Sequence, residues 1–438
     1  MAEENHCLLF SVEKLVYGGD GLARLPADEH GQGKAVFIPF VLEGERIEGS
    51  LLEEKPGFAR ARADHVRQAS PHRVEPRCPY FGACGGCHYQ HSSYEHQLEI
   101  KAAILKETLR RTAKIEPAID IVTHASPAWN YRNRARLRMK GEPEFALGYY
   151  RFHSTDLLPI EQCPISSPLI NRAIAALWRM GRAGNLPRAL EEVEIFANAE
   201  DDRLLLELYG NSALTPASAT TVGEAVQSAL PEVVGVAWFR SALRTRPGRQ
   251  HQTGTFGSAE LSYHTQQFSY KVSAGAFFQG NRYLTEELIR IVTNGCSGTL
   301  ALDLYAGVGL FSARLSRSFA QVFAVESSSA SYADLRSNAA PNVRTVHSSA
   351  EQFLRRVGKL RPDLVVVDPP RSGLSEAVIG SLQEVGARRI IYVSCDPATL
   401  SRDLQSLLQA GYAIQQAHLV DLFPQTYHIE SVFQVGMA

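Results

Sequence analysis

From about residue 276 onward, short apolar runs alternate with helical stretches, and this rhythm constrains the fold more than any other feature of the 438-residue chain. The strand candidates are Thr299–Leu304, Gln321–Val325, Asn342–His347, Asp363–Val367, Arg389–Ser394 and Gln416–Val420. Strands separated by helices imply βαβ units and a mostly parallel sheet, with a helical layer on each face. Such sheets hold their ligands at the carboxyl ends of the strands. Several of these strands end in residues with chemistry to offer.

The first ends in Asp303-Leu304-Tyr305-Ala306-Gly307-Val308-Gly309-Leu310-Phe311, a glycine turn that lets the backbone bend into a helix and approach a ligand. The next ends in Glu326, about 20 residues on, where a carboxylate can accept ribose hydroxyls. The turn lacks the three-glycine dinucleotide spacing. With Glu326 and Asp368, it favours S-adenosylmethionine over a dinucleotide. Asp368-Pro369-Pro370-Arg371 closes a third strand, and Ser394-Cys395-Asp396-Pro397-Ala398-Thr399-Leu400 a fourth. A thiol at that edge is either a nucleophile or an accident of packing.

Residues 6 to about 66 read as a small β module: Leu8–Leu15, a Gly18-Gly19-Asp20-Gly21 turn, Ala35–Phe40, and Arg46–Leu51 with period two. Short strands with glycine turns suggest a small barrel, a common nucleic-acid module. A helix is expected from about Tyr94 to Arg111, on apolar positions Leu98, Ala102, Leu105 and Leu109. Residues 125 to 272 carry mixed signals, with strands at Glu194–Ala197, Leu204–Tyr209 and Gly235–Phe239 and a helix around Ser167–Met180, and read as an α+β domain.

Seven cysteines in a long chain argue for metal or catalytic thiols over a disulfide scaffold. Cys78, Cys84 and Cys87 share one glycine-rich loop, and Cys163 stands apart in Glu161-Gln162-Cys163-Pro164-Ile165. Four thiolates suit either a zinc ion or an iron–sulfur cluster. Cys7 and Cys296 read as ordinary small residues. The formal net charge is only −1, yet Arg132, Arg134, Arg136, Arg138 and Lys140 alternate in one segment, and Arg240, Arg244, Arg246 and Arg249 crowd another. Either stripe could grip a polyanion or be a solvated face. No apolar run approaches a membrane span, and the start Met-Ala-Glu-Glu-Asn-His has no cationic, apolar leader, so a cytoplasmic protein with no membrane association is expected.

Phe423-Pro424-Gln425-Thr426-Tyr427-His428-Ile429-Glu430 gives the thiol a chemical context. Uracil C5 is a poor nucleophile, but a thiolate adding at C6 makes an enolate whose C5 can attack a methyl sulfonium. A carboxylate must then remove the C5 proton so that the cysteine can leave. Cys395 in its Ser-Cys-Asp-Pro context, Glu430 in Thr-x-His-x-Glu, Asp368-Pro-Pro-Arg and Phe277-Phe278-Gln279-Gly280-Asn281 together resemble the RNA 5-methyluridine methyltransferase family. The resemblance is closest to its iron–sulfur branch acting on 23S ribosomal RNA. Gly19-Asp20-Gly21-Leu22-Ala23-Arg24 resembles a TRAM domain, the RNA-binding barrel of that branch.

The resemblance implies Cys395 as nucleophile and Glu430 as the base. It places Gln279, Tyr305, Glu326 and Asp368 on S-adenosylmethionine, and a [4Fe-4S] cluster on Cys78, Cys84, Cys87 and Cys163, with zinc the second choice. It also makes Tyr131-Arg132-Asn133-Arg134-Ala135-Arg136 a strand gripping a flipped RNA loop. Leu310 stands where close relatives often place asparagine, and Ser349 where an acidic residue is expected near the adenine. The expected architecture is α/β, in three parts. Residues 1–66 form an OB-like, TRAM-like barrel, and residues 67–275 a middle domain with the cysteine loop, whose helix 94–113 can pack on the catalytic part. Residues 276–438 form a class I, Rossmann-like methyltransferase domain. The expected protein is a monomer that methylates uridine C5 in structured RNA, 23S rRNA first and tRNA as the alternative. Its rivals are an exocyclic-amine methyltransferase, which needs no cysteine, and a non-catalytic RNA-binding protein.

Overall fold

The computed structural model describes residues 8–26, 33–116, 119–211, 216–240 and 251–437. Cys7 and three of the second arginine group, Arg244, Arg246 and Arg249, lie outside them.

Six strands build the N-terminal sheet: Leu8–Ser11, Lys14–Leu15, Asp20–Arg24, Ala35–Pro39, Arg46–Glu54 and Phe58–Gln68. The last runs beyond residue 66 and pairs in parallel with Ala35–Pro39 and antiparallel with Arg46–Glu54. Phe10, Val36, Ile38, Ile47 and Ala59 fill its core. Gly21 is there for space: a Cβ would stand 2.4 Å from Val41 Cγ2.

The central sheet has seven strands, in the order Leu157–Pro159, Ala146–Tyr150, Arg134–Lys140, Leu190–Ala197, Leu204–Gly210, Val233–Arg240 and His251–Gly257. Helix Pro168–Arg182, capped by the Ser167 hydroxyl and opened by a proline, packs on it through Ile170, Ile174 and Leu177.

The third sheet carries the site. Its eight strands run Val343–His347, Phe319–Glu326, Gly298–Leu304, Leu364–Val367, Arg389–Ser394, Glu430–Met437, Tyr412–Val420 and Ile121–His124. All neighbours are parallel except Glu430–Met437, which is antiparallel to both of its own. The chain order reverses at Gly298–Leu304, so a crevice opens at the carboxyl edge beside it. Every residue of Leu364–Val367 is buried, which is why that strand reads as an unbroken apolar run.

Two elements cross the boundary expected at residue 275. Ile121–His124 pairs in parallel with Tyr412–Val420 and so belongs to the catalytic sheet, not to a middle domain. Helix Tyr94–Thr108, extended by a wider π turn over Leu109–Ala113, joins the same apolar core as Leu400 and Leu404 of helix Pro397–Gln409. Its buried face is Gln97, Ile100, Lys101, Ile104 and Leu105, two of them polar.

Candidate active site

Strand Arg389–Ser394 pairs antiparallel with Glu430–Met437, Ser394 standing opposite Ser431. Cys395 follows Ser394 directly and Glu430 precedes Ser431, so the two flank the last pair of this ladder at the carboxyl edge, near enough for Glu430 to act on the thiol. After Cys395 the chain turns at once into helix Pro397–Gln409, because the Asp396 carboxylate accepts from the Ala398 and Thr399 amides at 3.0 and 2.9 Å. Tyr17, from the N-terminal sheet, donates its hydroxyl to Asp396 at 3.3 Å and meets the Tyr427 ring edge-on. The N-terminal module thus touches the loop that carries the thiol.

Burial pushes the Cys395 thiol up to about 11, with Glu430 and Asp368 adding to the rise and Arg371 opposing it. Glu430 is 6% exposed, and burial, with Asp368 next, holds its carboxyl well above the usual range. Asp368 and Asp303 are each pushed up to about 7 by burial; Asp303 also raises Asp368. Three strand ends therefore bring Asp303, Asp368 and Glu430 together in a poorly solvated edge. An adjacent positive charge would stabilise the ionised form of these carboxyls.

Glu326 accepts from the Gly307 amide at 2.9 Å and the Ser328 amide at 2.5 Å, which ties the glycine turn to the next strand. Tyr305 adopts φ +64, a strained backbone that turns the chain out of its strand. It lines a cavity of about 210 Å³ with Ser327, Ser348, Ser349 and Pro370. Ser349 caps helix Ala350–Val357 by accepting from the Gln352 amide, which gives a structural reason for serine where an acid was expected. Leu310 is buried in the core, and its carbonyl accepts from the Tyr270 hydroxyl at 3.0 Å. Gln279 is buried beside Phe278, which packs in the same core, while Phe277 is exposed. Asn281 fixes this loop by donating to Ser126 Oγ and the Leu422 carbonyl, both at 3.0 Å.

Cys78, Cys84, Cys87 and Cys163 all line one cavity of about 200 Å³, together with Arg132 and Tyr149. Burial raises the thiols of Cys78, Cys84 and Cys87 above their ordinary value. Among the described residues, no group of three or more His, Cys, Asp or Glu side chains is arranged to hold a metal ion. Cys296 is a buried core residue at the end of helix Thr285–Thr293.

The alternating arginines differ from the open polyanion grip suggested by their spacing. Arg134 is paired with Glu194 and Glu207, Arg136 with Glu192 and Glu194, and Arg138 with Glu192. Their partners lie on the adjoining strands Leu190–Ala197 and Leu204–Gly210, so cross-strand pairing neutralises most of the stripe. Arg371 was quoted in the sequence only as part of its proline motif. In the fold it opposes burial at both Cys395 and Glu430 and donates to His428 Nδ1 at 3.2 Å. Gln97, Lys101 and Asp421 also escaped the sequence reading. Their signal was two polar residues four apart on an otherwise apolar helix face.

Residues 93–435 match the tRNA (uracil-5-)-methyltransferase family. The chain belongs to that family. It is 33% identical over 438 residues to an RNA methyltransferase of Aquifex aeolicus otherwise described as uncharacterised, covering 97% of each chain. It is 31% identical over 441 residues to a 23S rRNA (uracil(1939)-C(5))-methyltransferase of Aromatoleum aromaticum, covering 96% of this chain and 98% of that one. A solved structure, the Pyrococcus abyssi tRNA (uracil-54, C5)-methyltransferase with S-adenosyl-L-homocysteine, superposes with a TM-score of 0.76 at 22% identity, over 98% of this chain and 100% of that one. The family member described here is an S-adenosylmethionine-dependent RNA (uracil-C5-)-methyltransferase with an α/β catalytic fold. No helix among its described residues is long and apolar enough to cross a membrane.

Proposed function

We propose that the enzyme methylates C5 of a uridine in 23S rRNA through a covalent adduct, with Cys395 as nucleophile and Glu430 as base. The observation that carries this is that the two residues flank the last pair of adjacent strands, with Glu430 acting electrostatically on the Cys395 thiol. In the scheme, the Cys395 thiolate bonds to C6 and the C5–C6 π pair becomes an enolate. C5 then takes the methyl group from the sulfonium, leaving S-adenosylhomocysteine. The Glu430 carboxylate removes the C5 proton, the C5–H pair restores the double bond, and the C6–S bond breaks to return the thiolate. An amine methyltransferase would need neither residue.

Asp368, Glu326, Tyr305 and Gln279 are proposed to hold the methyl donor. A sulfonium beside Asp303, Asp368 and Glu430 would favour the ionised form of carboxyls that burial raises. The ribosomal target follows the Aromatoleum relative. The N-terminal sheet is proposed to be a TRAM-like RNA-binding barrel; the Tyr17–Asp396 contact ties it to the active-site loop.

Cys78, Cys84, Cys87 and Cys163 are proposed to hold a [4Fe-4S] cluster in preference to zinc. All four thiols line one cavity, and four thiolates are a ligand set for such a cluster. The cluster would supply a cross-link between the Cys78–Cys87 loop and the Cys163 loop.

The test is Glu430→Gln with 23S rRNA and, separately, tRNA transcripts. Intact-mass analysis is expected to find a methylated RNA covalently bound at Cys395, with 23S rRNA only. Free turnover by this variant would overturn the base assignment, and adducts confined to tRNA would overturn the target.

A further inference from the structure

Gln425 lies five residues before Glu430 and is 2% exposed. Its backbone sits at φ +69, a left-handed conformation that strains a non-glycine residue. Its backbone amide, its carbonyl and its side-chain oxygen are all held from outside the methyltransferase sheet. The Gln97 side chain accepts from the Gln425 amide and donates to the Gln425 side-chain oxygen, both at 3.0 Å. The Gln425 carbonyl accepts from the backbone amides of His88 and Tyr89 at 2.8 and 3.0 Å. These two residues follow Cys87 directly.

A buried ion pair braces the start of the same turn. Lys101, one helical turn beyond Gln97, donates to Asp421 Oδ1 at 2.6 Å and to the Phe423 carbonyl at 2.9 Å, and neither charged side chain is exposed. Segment 421–425 is thus clamped by one helix face and by the cysteine loop before the chain enters strand Glu430–Met437.

We infer that Gln425 is a positioning residue: clamped by Gln97 and the loop after Cys87, it aims Glu430 for removal of the C5 proton. This rests on the assignment of Glu430 as base. The clamp holds the segment leading to Glu430, whereas Cys395 is held chiefly by the Asp396 cap of its own helix. Loosening the clamp therefore slows elimination and leaves attack and methyl transfer intact. A base displaced by about 1 Å loses on the order of 100-fold in rate.

The experiment is a single-turnover reaction of the full chain with substrate RNA and methyl-labelled S-adenosylmethionine. Methyl entering covalent protein–RNA adduct is counted separately from methyl in released RNA. Gln425→Gly keeps the left-handed backbone without strain and deletes the side chain, and with it the bond that Gln97 donates to it. Gln97→Met removes the other half of the pair. In both, methyl transfer is expected within about 3-fold of wild type, and release about 100-fold slower, so methylated adduct accumulates. Release keeping pace with transfer, or both steps falling together, would overturn the inference. Glu430→Gln is run alongside: if it fails to accumulate adduct, the assignment of the base falls, whatever the two clamp variants do.

Discussion

The resting thiol should be a poor nucleophile by population. Cys395 is raised from an ordinary 9.0 to about 11, first by burial and then by Glu430. At pH 8 an ordinary thiol is about one-tenth thiolate, and Cys395 only about one part in a thousand, a deficit of about 100-fold. A more basic thiolate is intrinsically more reactive, and a Brønsted slope near 0.5 returns about 10-fold over two units. The net expectation at pH 8 is alkylation about 10-fold slower than that of free glutathione. The pH profile is the stronger signature. Because the folded-state value is raised, reactivity keeps climbing about tenfold per pH unit beyond pH 9, where a free thiol levels off. The assay is iodoacetamide modification of the Cys395 peptide, followed by mass spectrometry from pH 7 to 10. Arg371→Met should depress the profile further, since Arg371 opposes burial at this thiol. A plateau below about pH 9, or alkylation faster than glutathione at pH 8, would refute the reasoning.

Lys101→Met leaves Asp421 charged and buried without its partner, and a loss of about 3–5 kcal/mol is expected in a denaturant titration. Arg138→Ala should change RNA affinity less than about 3-fold and leave its salt dependence unchanged, because the guanidinium is already paired with Glu192. Cys163→Ala should lose iron and acid-labile sulfide in metal analysis; stoichiometric zinc in the wild-type protein would contradict the cluster assignment.

The proposed pair, Cys395 and Glu430, stands out in the sequence because both residues sit at strand ends in distinctive local sequence, and the strands around them are buried on both faces. Leu364–Val367 and Arg389–Ser394 announce themselves in this way. Ile121–His124 did not: it has four residues, none fully buried, and pairs only with a strand almost 300 residues away. The arginine stripe was visible, but its neutralisation was not, since the register setting Arg136 opposite Glu194 emerges only from the assembled sheet. Helix Tyr94–Thr108 was visible from its apolar positions. Its function as a clamp was hidden, because Gln97 and Lys101 find their partners more than 300 residues on.

Tritium release from RNA labelled at uridine C5 tests the covalent mechanism most directly. Wild-type enzyme should release tritium in step with methyl incorporation, only when S-adenosylmethionine is present, and Cys395→Ala should do neither. Methylation and tritium release by Cys395→Ala at the wild-type rate would contradict the nucleophile at the centre of this account.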